Sequence, residues 1–303
     1  MRLTKELLYG KIIRGFEGTD PEPVAEMLNA VPYGGIIFFR KNILNYSHLG
    51  EFIAQLKSRV ARPLLLCIDQ EMGVVNRIRE GLPPLPGGRK FAALPREERK
   101  ESAATLAERL AEAGINVNFA PVCDIPANPE DFIYRRTLGD TPEEVCQALE
   151  DWLEGFRGSG ILSVLKHFPG HGNTKTDSHL GLPVKETSWQ EWLSRDALPF
   201  LHGMELGGSG LMLAHILYPN IDGEPLPLSP VFLRYLRHTM GFRGPLFTDD
   251  LEMEGFLSLP DWEERFHRLL VGTVDYLILG KNLPGKVDEV KIVEELLATS
   301  SLS

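Results

Sequence analysis

Residues 162–183 read LSVLKHFPGHGNTKTDSHLGLP. A short apolar run, Leu162–Phe168, ends in Lys166-His167 and opens into a loop punctuated by Gly170, Gly172 and Gly181. Near-continuous rather than alternating hydrophobicity is how a strand reads when both faces of a parallel sheet are covered. Seven further runs have the same character: Lys11–Phe16, Gly35–Phe39, Pro63–Asp69, Asn116–Val122, Leu211–Ile216, Pro245–Asp249 and Val274–Leu279.

Amphipathic helices are predicted between the runs. Thr141-Pro142-Glu143-Glu144 is a capping box with proline at the first helical position, and Val145, Leu149, Trp152, Leu153 and Phe156 then share one face. Ser188…Glu191 and Asp261…Glu264 repeat the start signal, and Ser229-Pro230 opens a helix with Phe232, Leu233 and Leu236 inward. A last helix is expected from about Lys286 to Ala298. Strand and helix alternating eight times reads as an α/β protein, a (β/α)8 barrel of the TIM type, with residues 1–303 as a single domain. A doubly wound sheet fits less well, because no run is followed by GxGxxG or a P-loop sequence and the count stops at eight.

Composition bounds the function. The net charge of −10 and a pI near 5.4 weigh against a nucleic-acid partner or an anionic membrane surface. Cys67, Cys123 and Cys146 are widely spaced and form no CxxC pair, so neither a zinc clip nor a disulfide framework is implied. The N-terminus lacks an apolar h-region and no run reaches membrane-span length, so a cytoplasmic location is expected. Nothing in the sequence speaks to oligomeric state.

Chemistry in such a barrel belongs at the C-terminal ends of the strands. The third run ends in Asp69-Gln70-Glu71, the fourth leads to Asp124, the fifth carries Lys166-His167, the sixth reaches His215 and the seventh ends in Asp249-Asp250. Two long loops, Glu80 to about Pro95 and Pro169 to Thr187, follow strands and are candidates for active-site loops. Each residue also has a plainer reading. His215 reads equally as a hydrogen-bonded core histidine, His171 and Lys175 as solvated loop residues, and Glu71 and Asp250 as groups that hold neighbouring side chains in place. Asp177 and His179 stand two apart in the loop, where a carboxylate can orient an imidazole and favour its protonated form.

These residues carry a resemblance. KHFPGHGNTKTDSHLGLP resembles the loop signature of family 3 glycoside hydrolases, in the β-N-acetylglucosaminidase branch of bacterial peptidoglycan recycling. GFEGTD, GGIIFFRKNI, IDQEMGVVNRI, NVNFAPVCDI, MLAHILYPNID and GFRGPLFTDDLEMEG resemble that family's other strand-end motifs, in the family's order. The resemblance implies a retaining exo-β-N-acetylglucosaminidase with Asp249 as nucleophile and an Asp177–His179 pair as general acid/base. It also implies that Asp69, Arg77, Arg136, Lys166 and His167 hold the sugar's hydroxyls, and it implies no metal or organic cofactor. The implied partner is a small carbohydrate of the muropeptide type. Three departures from the family pattern bear on substrate preference: Met72 and Val74 in DQEMGVV, where DQEGGRV is usual, and Asn173 in place of an aspartate. Alternatives from the residues themselves are a related exo-β-glycosidase such as a β-glucosidase, a non-catalytic sugar-binding barrel, and a metal-dependent hydrolase using His167, His171, His179, His215 and Asp249.

Overall fold

The computed structural model describes residues 3–172, 174, 181–208, 210–280 and 287–300. Eight parallel strands close into a barrel in chain order: β1 (Ile12–Arg14), β2 (Gly35–Phe38), β3 (Leu65–Ile68), β4 (Val117–Asn118), β5 (Leu162–Phe168), β6 (Gly210–Leu213), β7 (Leu246–Asp250) and β8 (Tyr276–Leu279). Each falls within or against one of the eight apolar runs, and β8 pairs back onto β1 through Ile13 and Ile278.

Two-residue periodicity divides every strand between two hydrophobic layers. Ile13, Ile37, Cys67, Val117, Phe119, Val164, Met212, Phe247 and Ile278 point inward and form their own cluster. Their chain neighbours Ile12, Ile36, Phe38, Leu66, Ile68, Leu165, Leu211, Leu246, Leu277 and Leu279 belong to the layer under the helices. Adding two residues to three of the inward positions gives Asp69, Lys166 and Asp249, so the same periodicity that fills the barrel aims charged groups at its mouth. On β1 and β8 the equivalent positions are Gly15 and Gly280, where the backbones almost touch: a Cβ on Gly15 would sit 1.8 Å from the Gly280 carbonyl oxygen.

The helix Pro142–Phe156 carries the expected capping box, with the Thr141 side chain accepting from the Glu144 N–H, and buries Val145, Leu149, Trp152, Leu153 and Phe156. Ser188 caps Trp189–Ser194 in the same way, and Ser229 caps Pro230–Arg234, which continues as a wider helical turn over Tyr235–Thr239. The last helix spans Glu289–Ser300.

Three expectations need adjustment. Asp261 precedes the helix Trp262–Val271 but has left-handed backbone (φ 53°), and its side chain makes no capping bond. The fourth run is a strand for only two residues. There the Asn118 side-chain amide replaces the ladder, accepting from the Gln70 N–H (3.0 Å) and donating to the Gln70 carbonyl (3.1 Å). Pro121 then has no N–H to offer, and pairing resumes as a single bridge between Val122 and Lys166. The loop from Glu80 to Pro95 also contains a short helix, Arg89–Ala92. Among the described residues no helix is long and apolar enough to cross a membrane.

Candidate active site

A cavity of about 550 Å³ opens at the C-terminal ends of the strands. Its floor includes Ile37, Met212 and Ile278 from the barrel interior, and its walls carry Asp69, Arg77, Arg136, Lys166, His167 and Asp249. Every residue that the resemblance assigns to the site, within the described part of the chain, is therefore brought to one place. Asp177 and His179 lie outside the described residues, as do Asn173 and Lys175.

Successive side chains of a regular strand face opposite ways, yet Lys166 and His167 both line the cavity. The register between β5 and β6 shifts between Leu165 and Phe168, and that irregularity re-aims the pair. Asp249 and Asp250 share the wall for the same reason, with a register shift between Phe247 and Asp250.

The charged groups form one connected cluster. Lys166 Nζ lies 2.8 Å from Asp69 Oδ1 and 2.6 Å from Glu71 Oε1. Arg136 grips Glu71 with two parallel bonds, Nε to Oε2 at 2.9 Å and a terminal nitrogen to Oε1 at 2.7 Å. Such a bidentate fork fixes orientation as well as charge. Arg77 reaches Asp69 at 3.4 Å while its guanidinium stands over the Phe39 ring. Burial pushes the Glu71 carboxyl up, but Arg136 and Lys166 outweigh it and hold the group far below the usual carboxylate range.

His167 is oriented from behind. Its Nδ1 lies 2.6 Å from Asp124 Oδ2, and the other Asp124 oxygen accepts the His171 backbone N–H at 2.5 Å. Asp124 is fully buried; against the upward push of burial, the two histidines keep its carboxyl below its ordinary value. With Nδ1–H donating to Asp124, His167 turns Nε2 outward, 3.4 Å from Arg136.

Asp249 Oδ1 accepts the Asp250 N–H at 2.8 Å. Burial pushes the Asp249 carboxyl up, but His167, His215, that N–H and Lys166 bring it below the usual range, so it is ionised at neutral pH. Asp250 behaves oppositely. Its Oδ1 accepts the Gly280 and Glu252 N–H groups, yet burial, with Glu252 and Asp249 nearby, raises it to about 7. Two adjacent carboxylates thus have environments that push their proton affinities apart.

The plainer readings hold for some residues. His215 is fully buried and its Nε2 lies 3.0 Å from the Asp250 carbonyl, beneath the wall rather than in it. Glu71 and Asp124 are the organising carboxylates that sequence reasoning left in the background; their position two residues past the end of an apolar run was the available signal. His171 lines the cavity instead of sitting in solvent. Met72 and Val74 do not line it. Met72 has φ 62° and is buried, with its sulfur 3.0 Å from Gln70 Nε2, while Val74 is exposed and Val75 supplies the wall.

An eight-stranded parallel barrel with carboxylates and cations converging at the C-terminal ends of its strands has the architecture of a TIM-barrel enzyme. The profile of the glycosyl hydrolase family 3 N-terminal domain matches residues 10–302. A β-hexosaminidase of Idiomarina loihiensis is 31% identical over 268 residues, covering 86% of this chain and 81% of that protein. The structure of a glycoside hydrolase family 3 β-N-acetylglucosaminidase from Paenibacillus sp. FPU-7 aligns with a TM-score of 0.84 at 27% identity; the alignment covers 100% of this chain but only 62% of that one. NagZ from Neisseria gonorrhoeae, crystallised with N-trifluoroacetyl-D-glucosamine, aligns with a TM-score of 0.80 at 28% identity over 96% of this chain and 85% of that one. The chain belongs to glycosyl hydrolase family 3 and is a glycoside hydrolase.

Proposed function

We propose that this glycoside hydrolase is a retaining exo-β-N-acetylglucosaminidase, releasing terminal N-acetylglucosamine from small muropeptide-type sugars. The observation that carries the reading is Asp249, a carboxylate at the end of β7 on the wall of a cavity it shares with Lys166, His167 and Arg136. The 2-acetamido specificity rests on the relatives, a β-hexosaminidase and a NagZ bound to an N-acylated glucosamine analogue.

In this mechanism an Asp249 carboxylate oxygen attacks the anomeric carbon, the glycosidic C–O bond breaks, and the departing oxygen takes a proton from His179. His179 then removes a proton from water, which attacks the same carbon and frees Asp249. An imidazole suits both halves because it titrates near neutrality without heavy tuning, and Asp177 would hold its tautomer. Asp69, Arg77, Arg136, Lys166 and His167 bind the sugar's hydroxyls by charge-assisted hydrogen bonds. The reading takes residues 1–303 as one catalytic barrel in the cytoplasm, serving peptidoglycan recycling in a bacterium, with no nucleic-acid partner.

The test is hydrolysis of the nitrophenyl β-glycosides of N-acetylglucosamine and glucose by the wild type and by Asp249→Asn. Preference for the N-acetyl substrate, reduced at least about a thousandfold in the variant with covalent labelling lost, is expected. Preference for the glucoside would move the specificity to a β-glucosidase. Turnover surviving in Asp249→Asn would refute the nucleophile.

A further inference from the structure

His171 lines the cavity yet has no task in the mechanism above. Its backbone is anchored on both sides. Trp192 Nε1 donates to the Pro169 carbonyl (2.8 Å), the Tyr218 hydroxyl to the Gly170 carbonyl (2.7 Å), and Lys185 Nζ to the Gly172 carbonyl (2.7 Å). The His171 N–H itself is taken by Asp124. The ring stands edge-to-face between Phe132 and His167, with centroids 5.1 and 6.0 Å away, and is 2% exposed.

The hydrogen bonds favour one tautomer. The Thr174 hydroxyl lies 3.1 Å from the His171 carbonyl oxygen and 3.3 Å from His171 Nδ1. A hydroxyl has one proton. Given to the nearer carbonyl, it leaves Nδ1–H to donate to the hydroxyl oxygen, and Nε2 carries a bare lone pair. That nitrogen is buried and has no hydrogen-bond partner among the described residues. Burial first, and then the neighbouring His167, lower the ring's proton affinity and keep it neutral. Buried polar groups in folded proteins are almost always satisfied, so an anchored, neutral acceptor on a cavity wall calls for a ligand donor.

We propose that His171 Nε2 accepts a hydrogen bond from the bound sugar, either from a ring hydroxyl or from the N–H of a 2-acetamido group, making His171 a substrate-binding residue. The inference rests on the glycosidase reading, and its test is kept separate from turnover. His171→Phe preserves a ring against Phe132 but removes the acceptor, whereas His171→Gln retains a side-chain carbonyl. Calorimetric titration with N-acetylglucosamine is expected to show about tenfold weaker binding to His171→Phe and a loss within about threefold for His171→Gln. The kcat/KM for the nitrophenyl N-acetylglucosaminide should fall in parallel, with both limbs of the pH profile unmoved. Titration with glucose identifies the donor: an equal loss points to a ring hydroxyl, and a loss confined to N-acetylglucosamine points to the amide. His171→Ala carries the same test if the phenylalanine variant does not fold. Wild-type affinity in a variant lacking the acceptor would overturn the proposal, as would a vanished pH limb with affinity intact. A wild type that binds N-acetylglucosamine but hydrolyses no nitrophenyl glycoside would refute the glycosidase reading while the titrations still judge His171.

Discussion

Replacing Glu71 by glutamine tests whether one buried carboxylate organises the cationic half of the site. Glu71 is 5% exposed and makes three close contacts with charged donors, at 2.6 Å to Lys166 and at 2.7 and 2.9 Å to Arg136. Lys166 retains Asp69 after the change, but Arg136 loses its charged acceptor, and among the described residues its other side-chain contact is the longer one to His167. Glutamine also turns an amide N–H₂ toward one of the two cations. Removing one partner of a buried pair costs roughly 3–5 kcal/mol, much of it the desolvated charge left behind. For a chain of this size that lowers Tm by on the order of 5–10 °C.

The pH dependence follows from the depressed carboxyl. A group whose proton affinity is lowered on folding contributes stability above its unfolded value, about 4.3, and loses it as pH falls toward the folded value. The gap between wild type and Glu71→Gln should therefore be full at pH 7 and narrow progressively below about pH 4. Differential scanning calorimetry from pH 3.5 to 8 reads both quantities. A variant melting within a degree of wild type at pH 7, or a gap that widens in acid, would refute the reasoning.

Asp250 has the opposite sign. With its carboxyl raised to about 7, wild-type stability should fall as pH rises from about 4 to 7, because the folded state holds a proton the unfolded chain has released. Asp250→Asn keeps an acceptor for the Gly280 and Glu252 N–H groups and removes that slope, so its Tm relative to wild type should climb between pH 5 and 8; a constant difference would count against the raised carboxyl. Gly15→Ala places a methyl 1.8 Å from the Gly280 carbonyl oxygen and should cost about 1–3 kcal/mol or more, measured by urea unfolding, with an unchanged midpoint as the contrary result.

The barrel was legible because its signals are local. Eight apolar runs became eight strands, and the capping boxes at Thr141 and Ser188 opened helices where Ser/Thr and Glu three residues later dictate them. The convergence of Asp69, Lys166 and Asp249 was also implicit, since two-residue periodicity carries each strand's inward face up to its polar end. The second layer of the site was not legible. Asp124 meets His167 and His171 across 43 and 47 residues, and Glu71 meets Arg136 across 65, so no local pattern marks these pairs. Likewise the sequence marked Met72 and Val74 as departures from the family pattern, but only packing turned Met72 into the interior and Val74 toward solvent. Asp249 and Asp250 are one letter repeated. Their opposite proton affinities arise from which charges and N–H groups the closed barrel sets around each carboxyl, because burial magnifies electrostatic differences that water would screen.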